Sequence, residues 1–196
     1  MRGGNWPLER ESRHQCLIYE GSPSQQLPAL AATIKRKLDD GHRCLYLNSR
    51  PMVAGIRSYL AAIGLDVESD MAKTRLVLSS ESVISAGGGF DVDMMLDKLE
   101  DSLDQALSDG YKGLWASGDM TWEFGPEKNF VKLTEYEYGL EELMHRRPEL
   151  SGICQYHQDT LPHGVTRQAL LTHPMTFINE TLSRVNPEYV PAGLSK

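Results

Sequence analysis

The feature that most constrains the fold of this chain is the alternation of short apolar runs with longer amphipathic segments. Between the runs, apolar residues recur at helical spacing, as at Leu27, Leu30, Ile34 and Leu38. Strands that alternate with helices in this way predict a parallel sheet that is covered on both faces. We therefore predict a single three-layer α/β domain with a mainly parallel central sheet. The five runs that predict strands lie at 14–19, 43–47, 75–78, 114–116 and 153–156.

Length and composition narrow the classes of protein further. The 196 residues fit one domain, which we place at 13–191, after a flexible, polar leader at 1–12 and before a tail at 192–196. A net charge of -7 argues against a nucleic-acid surface, which needs clustered lysine and arginine. There is no apolar run that fits a signal peptide or a membrane span, and the three cysteines are widely spaced. These features predict a cytoplasmic protein with reduced thiols.

Aromatic, methionine and a few polar residues cluster near the ends of the predicted strands. In open α/β sheets, ligands bind outside the carboxyl ends of the strands, and small-molecule pockets are mostly apolar with a few placed polar groups. Asp119 has an alternative role, in which its carboxylate caps the next turn. Met120 and Trp122 have an alternative role as core residues. Trp115 is expected to be a core residue. The predicted ligand-binding residues are Tyr19, Ser80, Phe90, Asp119, Met120, Trp122, Glu135, Tyr136, Tyr156 and His157.

The motifs of nucleotide hydrolysis and of nucleophilic catalysis are missing. A phosphate-binding loop needs several glycines followed by a lysine and a serine or threonine. The turn at 19–26, after the first predicted strand, has one glycine and no lysine. The chain also lacks a G-x-S-x-G elbow. We predict no catalytic residues and no cofactor, and we expect that the protein is not an enzyme.

The spacing of histidines and cysteines does not predict a metal site. Cys154 and His157 are three residues apart, so they would point to opposite faces of a strand end. His157 and His163 flank a turn and lack a clear third ligand. The sequence therefore favours rim or packing roles for these histidines, and no metal ligand is predicted.

Eight short segments occur in an order that is typical of one family. The chain resembles the MEDS domain, the methanogen/methylotroph, DcmR sensory family, from about His14 to Pro191. Two residues depart from the family pattern: Trp115 replaces a usual arginine and His157 a usual aspartate, so the identity of a ligand does not carry over. The matching segments are HQCLIY at 14–19, GGFD at 88–91, GYKG at 110–113, GDMTW at 118–122, YE at 136–137, CQY at 154–156, THP at 172–174 and NP at 186–187.

The resemblance implies a degenerate relative of the RecA/KaiC-type P-loop proteins that acts as a non-catalytic sensory module. Its ligand would be small and largely apolar, such as a hydrocarbon derivative or a one-carbon compound. It would regulate transcription or a signalling partner in trans, through a kinase, a regulator or an output domain, with homo-oligomers allowed and no direct contact with nucleic acid or membrane. Two alternatives stay open: a degenerate P-loop-type nucleotide-binding protein or enzyme that uses Asp119 or Glu81 to hold magnesium, and a pure protein–protein interaction module.

Overall fold

A seven-stranded sheet forms the centre of the protein. The structure, a computed structural model, describes residues 13–80, 90–120 and 130–191. The sheet order is β3-β2-β4-β5-β1-β6-β7, and neighbours are parallel except for the antiparallel pair β6–β7. This architecture confirms the predicted α/β class. The strands are β1 (His14–Tyr19), β2 (Arg43–Leu47), β3 (Leu76–Ser79), β4 (Leu114–Asp119), β5 (Leu150–His157), β6 (Met175–Asn179) and β7 (Leu182–Val185).

Helices connect the strands, and two of them begin where the sequence supplies a capping side chain. Asp66 accepts a hydrogen bond from the backbone N–H of Ser69, and Asp91 accepts one from Met94, so each satisfies a donor of the first helical turn. Among the described residues, no helix is both long enough and apolar enough to cross a membrane. The helices are α1 (Leu27–Asp39, after a 3₁₀ turn at Pro23–Gln26), α2 (Arg50–Ala62), α3 (Val67–Ala72), α4 (Val92–Ser108), α5 (Phe130–Arg146) and α6 (His163–Thr172).

The two faces of the sheet are buried under different sets of helices. Side chains alternate along each strand, so Leu17 and Trp115 pack under α1, α2 and α3, while Cys16, Leu114 and Tyr156 pack under α4, α5 and α6. Trp115 is thus a core residue, as expected. The layer of α4, α5 and α6 is the one that contains the chemistry described below.

Some strands are longer than the apolar runs that predict them, because they continue into polar residues. β4 continues through Ser117 and Gly118 to Asp119, which is only 6% exposed. The hydroxyl of Ser117 donates to the carbonyl of Ile153 at 2.8 Å, so this polar side chain is buried without an unsatisfied donor. Asp119 is therefore the last residue of a buried strand and not part of an exposed turn.

Candidate functional site

Three of the predicted site residues meet at the carboxyl ends of β1, β4 and β5. The hydroxyl of Tyr19 donates to Oδ2 of Asp119 at 3.2 Å, and its ring stacks on His157 with ring centres 5.0 Å apart. Burial and the charge of Asp119 both raise the pKa of Tyr19, so it remains a proton donor. Nearby, the backbone N–H of Gly21 donates to the carboxylate of Asp159 at 2.7 Å. The negative charge of Asp159 at the first strand-to-helix turn would repel a phosphate bound there.

The other predicted residues that the structure describes are distributed around this edge and do not form one site with it. Phe90 and Tyr136 are buried and pack edge to face, with ring centres 5.6 Å apart. Met120 is 1% exposed and packs in the core. Ser80 follows β3, at the far edge of the sheet from β1. Trp122, like Glu81 of the magnesium alternative, lies outside the described residues.

A cavity of about 530 Å³ lies between α5 and α6. Leu133, Tyr138 and Val165 contribute to its mainly apolar walls, and the buried side chains of Glu137 and Tyr156 form its inner end. Its volume and lining are those of small-molecule sites, which span ~300–1,000 Å³. Of the predicted site residues, Tyr156 and the exposed Glu135 are among its lining residues.

Directly behind the cavity, four potential metal ligands converge. Oε2 of Glu137 lies 3.3 Å from Nε2 of His14, 3.3 Å from Nε2 of His173 and 3.6 Å from Sγ of Cys154. Sγ of Cys154 is 3.7 Å from Nε2 of His14, and all four ligand atoms lie within 4.8 Å of one another. All four residues are buried. We refer to His14, Glu137, Cys154 and His173 as the buried cluster.

His14, Glu137 and His173 are each oriented by a second hydrogen bond. Nδ1 of His14 lies 2.7 Å from Oε2 of Glu141, and the hydroxyl of Tyr189 donates to Oε1 of the same Glu141 at 2.7 Å. Nδ1 of His173 lies 2.7 Å from the carbonyl oxygen of Ala169. The hydroxyl of Tyr156 donates to Oε1 of Glu137. These contacts leave Nε2 of both histidines and Oε2 of Glu137 facing one another.

The electrostatics of the cluster are set by burial and by its own charges. Burial lowers the pKa of His14, but hydrogen bonds to Glu137 and Glu141 outweigh it, and the pKa rises from 6.5 to about 9. Burial and the charge of His14 lower the pKa of His173. Burial raises the pKa of Glu137, but the positive charge that His173 carries when protonated and the hydrogen bonds of both histidines hold it well below its usual range. Glu137 is therefore an ionised carboxylate inside the core.

Sequence reasoning missed this cluster because its members are far apart along the chain. It considered Cys154 only with His157, whereas Cys154 actually meets His14, 140 residues away. His157 instead places Nε2 2.8 Å from the carbonyl oxygen of Gly21. The family resemblance does include these residues, since each of the four members of the buried cluster lies in one of the matching segments.

Comparison with known proteins agrees with the resemblance. The family model described as "MEthanogen/methylotroph, DcmR Sensory domain" matches residues 13–174. The chain is also similar to the transcriptional repressor DcmR of Methylorubrum extorquens, with 25% identity over 164 residues. That alignment covers 84% of this chain and 59% of the repressor, so the chain spans less than two thirds of its relative's length. Because the family model covers the sheet from β1 to β5 together with both walls of the cavity, the chain belongs to the MEDS family of sensory domains.

Proposed function

We propose that this protein is a non-catalytic sensory domain that binds a small, largely apolar molecule in the cavity between α5 and α6. The observation that carries the proposal is the cavity itself, with its volume of about 530 Å³ and its mainly apolar lining. Membership of a sensory-domain family supports the same role. Control of transcription, or of a signalling partner, is proposed from the relative that is named a repressor.

The charges around the cavity restrict the ligand class. Glu137 is ionised at the inner end and Glu135 is exposed among the lining residues. None of the described lining residues is a cation, so a carboxylate or a phosphate would lose its hydration without gaining a charged partner and is disfavoured. A neutral molecule with an apolar body and at most one polar group, which Gln168 or Tyr138 can bind, fits best.

A direct route connects the cavity to the end of the sheet. Ala169 of α6 lines the cavity, and its carbonyl oxygen accepts the hydrogen bond from Nδ1 of His173. His173 lies two residues before β6, which pairs with β1 on one side and with β7 on the other. A ligand that displaces α6 would therefore also displace the segment that leads into the edge hairpin β6–β7.

A melting-temperature screen with small neutral apolar compounds tests the proposal. A ligand at 100 times its Kd stabilises the fold by ~2.7 kcal/mol, which is ~5–10 °C for a chain of this size. Gly164→Leu is the informative variant, because a Cβ at this glycine meets no atom of the described part of the chain within 4 Å and a larger side chain would occupy cavity space. We expect it to fold and to lose the ligand-induced shift. Ala61→Leu, on the exposed face of α2, is the matched control and should keep the shift.

Two results would contradict this assignment. One is a screen in which no compound raises the melting temperature of the wild-type protein. The other is an equal ligand-induced shift in Gly164→Leu and in Ala61→Leu, which would place the ligand outside the cavity.

A second candidate function is self-association through the edge of the sheet. Ile178, Leu182 and Val185 of the hairpin β6–β7 are large apolar side chains that are 45–54% exposed. Among the described residues β7 has no strand on its outer side, and such edges favour pairing with another strand. Sedimentation of the wild type and of Leu182→Lys tests this candidate. A dimer that dissociates in the variant supports it, and a wild-type monomer at high concentration rejects it.

A further inference from the structure

We propose that the buried cluster binds one divalent transition-metal ion, and that zinc is the ion it fits best. The ligands would be Nε2 of His14, Oε2 of Glu137, Sγ of Cys154 and Nε2 of His173. This inference rests on the geometry of the cluster and is independent of what occupies the neighbouring cavity.

The distances within the cluster are those of the edges of a tetrahedral site. Zinc bonds of ~2.0–2.2 Å to nitrogen and oxygen and ~2.3 Å to sulfur place the nitrogen and oxygen ligands ~3.3–3.6 Å apart and the sulfur ~3.5–3.7 Å from them. The observed separations from Oε2 of Glu137 are 3.3 Å to each histidine nitrogen and 3.6 Å to Sγ of Cys154. The separation of Sγ from Nε2 of His14 is 3.7 Å. The remaining pairs lie within 4.8 Å, so small side-chain shifts complete the tetrahedron.

The hydrogen bonds of His173 point to a cation at its inner nitrogen. The carbonyl oxygen of Ala169 can only accept, so Nδ1 of His173 carries a proton in either charge state, and the ring presents a lone pair at Nε2 when it is neutral. That lone pair lies 3.3 Å from the ionised Glu137, another acceptor, and Nε2 makes no well-aligned hydrogen bond with any described residue although His173 is completely buried. Two acceptors facing each other in the core are unfavourable unless a proton or a metal ion lies between them.

Both histidines also have the outer partners that metal-binding imidazoles have. A histidine that binds a metal through one nitrogen almost always donates the other N–H to a carboxylate or a carbonyl. His14 does so to Glu141 and His173 to Ala169. Glu141 is held in turn by the hydroxyl of Tyr189.

The charges and the ligand types select zinc among common ions. A carboxylate and a thiolate supply two negative charges, which two neutral imidazoles leave unchanged, so a divalent ion makes the buried site neutral. Two nitrogens and one sulfur exclude magnesium and calcium, which prefer oxygen. Four protein ligands leave no open position, which is typical of structural zinc. Such an ion would tie together β1, α5, β5 and the segment after α6.

Cobalt(II) is the probe that tests the site in the full chain. Protein freed of metal with a chelator is titrated with Co²⁺ and then with Zn²⁺, and the metal content is measured by mass spectrometry. We expect one ion per chain, visible absorption bands of tetrahedral cobalt, a sulfur-to-cobalt charge-transfer band, and displacement by zinc.

Two alanine variants make the test specific for the cluster. Cys154→Ala should lose the charge-transfer band and bind far more weakly than the wild type. Cys44→Ala removes an equally buried thiol under the other helical layer and should keep both. Glu141→Gln alters an outer partner only, so it should keep the spectrum and bind ~10–100-fold more weakly.

Several results would overturn the proposal. One is a folded wild type, by circular dichroism, that binds neither Co²⁺ nor Zn²⁺ at one equivalent, which would make the cluster a hydrogen-bond network only. Another is equal binding by Cys154→Ala and Cys44→Ala, or an octahedral cobalt spectrum. None of these results alters the expected ligand shifts of the melting-temperature screen, so this proposal and the sensory one fail separately.

Discussion

The replacement of Tyr156 by phenylalanine tests the electrostatics at the inner end of the cavity. The hydroxyl of Tyr156 donates to Oε1 of Glu137, and both side chains are buried. The variant keeps the ring and its packing, and removes only the donor. Glu137 then retains its contacts at Oε2 but loses the hydrogen bond that stabilises the charge at Oε1.

The cost can be estimated from the type of bond that is lost. A hydrogen bond to a charged group contributes ~1.5–3 kcal/mol, so we expect the free energy of unfolding to fall by that amount. For a chain of this size each kilocalorie lowers the melting temperature by ~2–4 °C, which gives a decrease of ~3–12 °C. The tyrosine is protonated at all ordinary pH values, because burial and the charge of Glu137 raise its pKa. The loss should therefore be the same at pH 6 and at pH 8.

Urea unfolding followed by tryptophan fluorescence measures the effect. The measurement is made with a chelator present and repeated with one equivalent of zinc, so that metal binding cannot mask the loss. Tyr59→Phe is the control, since Tyr59 is 40% exposed on α2 and should change stability by less than ~0.5 kcal/mol. If Tyr156→Phe is no more destabilised than this control, Glu137 does not depend on the hydroxyl and the reasoning is wrong.

Three further predictions use other parts of the structure. Gly152→Ala should lower the free energy of unfolding by up to ~3 kcal/mol, because a Cβ there would lie 2.4 Å from a backbone oxygen of β4. Gly164→Ala should raise it by up to ~1 kcal/mol, because the new methyl group has free space and the backbone is helical. Urea unfolding in which both variants change in the same direction would contradict this. Tyr19→Phe removes the donor to Asp119 and should lower the free energy of unfolding by ~1.5–3 kcal/mol. It should leave the ligand-induced shift of the melting temperature intact. A lost shift would place the ligand at the strand ends instead of in the cavity. Burial raises the pKa of Cys16 to about 12, and all three cysteines are buried, so a thiol reagent at pH 8 should label none in the native protein and three in guanidinium; rapid native labelling would show that the core opens.

The fold could be read from the sequence wherever a strand consists mainly of apolar and aromatic residues. The runs at 14–19 and 43–47 have the same bounds as β1 and β2. The run at 114–116 is only half of β4, because the sheet also buries Ser117 and Asp119 once their polar atoms have partners. β7 has no comparable signal, since none of its four residues is buried and its pattern is not apolar. A pattern of hydrophobicity detects burial and cannot detect a hydrogen bond to a distant strand.

The candidate site could be read only in part, for the same reason. The rule that strand ends converge predicts that Tyr19, Asp119 and His157 lie close together, as they do, while their role in binding a ligand stays a prediction. It did not place the cavity, which depends on how α5 and α6 pack, nor Glu137, an acidic residue that a helical pattern assigns to solvent. The expected kinship with RecA/KaiC-type proteins remains a prediction.

The position of β1 in the sheet has a consequence for how the chain folds during synthesis. Of the seven described strands β1 is made first, yet its neighbours β5 and β6 are among the last of the seven. About 130 residues separate the end of β1 from the start of β5, and at ~5–20 residues per second the ribosome needs ~7–26 s to make them. During that interval the backbone donors and acceptors of β1 have no partner strand, and His14 is apart from the other three residues of the buried cluster. An interior strand of the finished sheet is therefore also the one that waits longest for a partner strand.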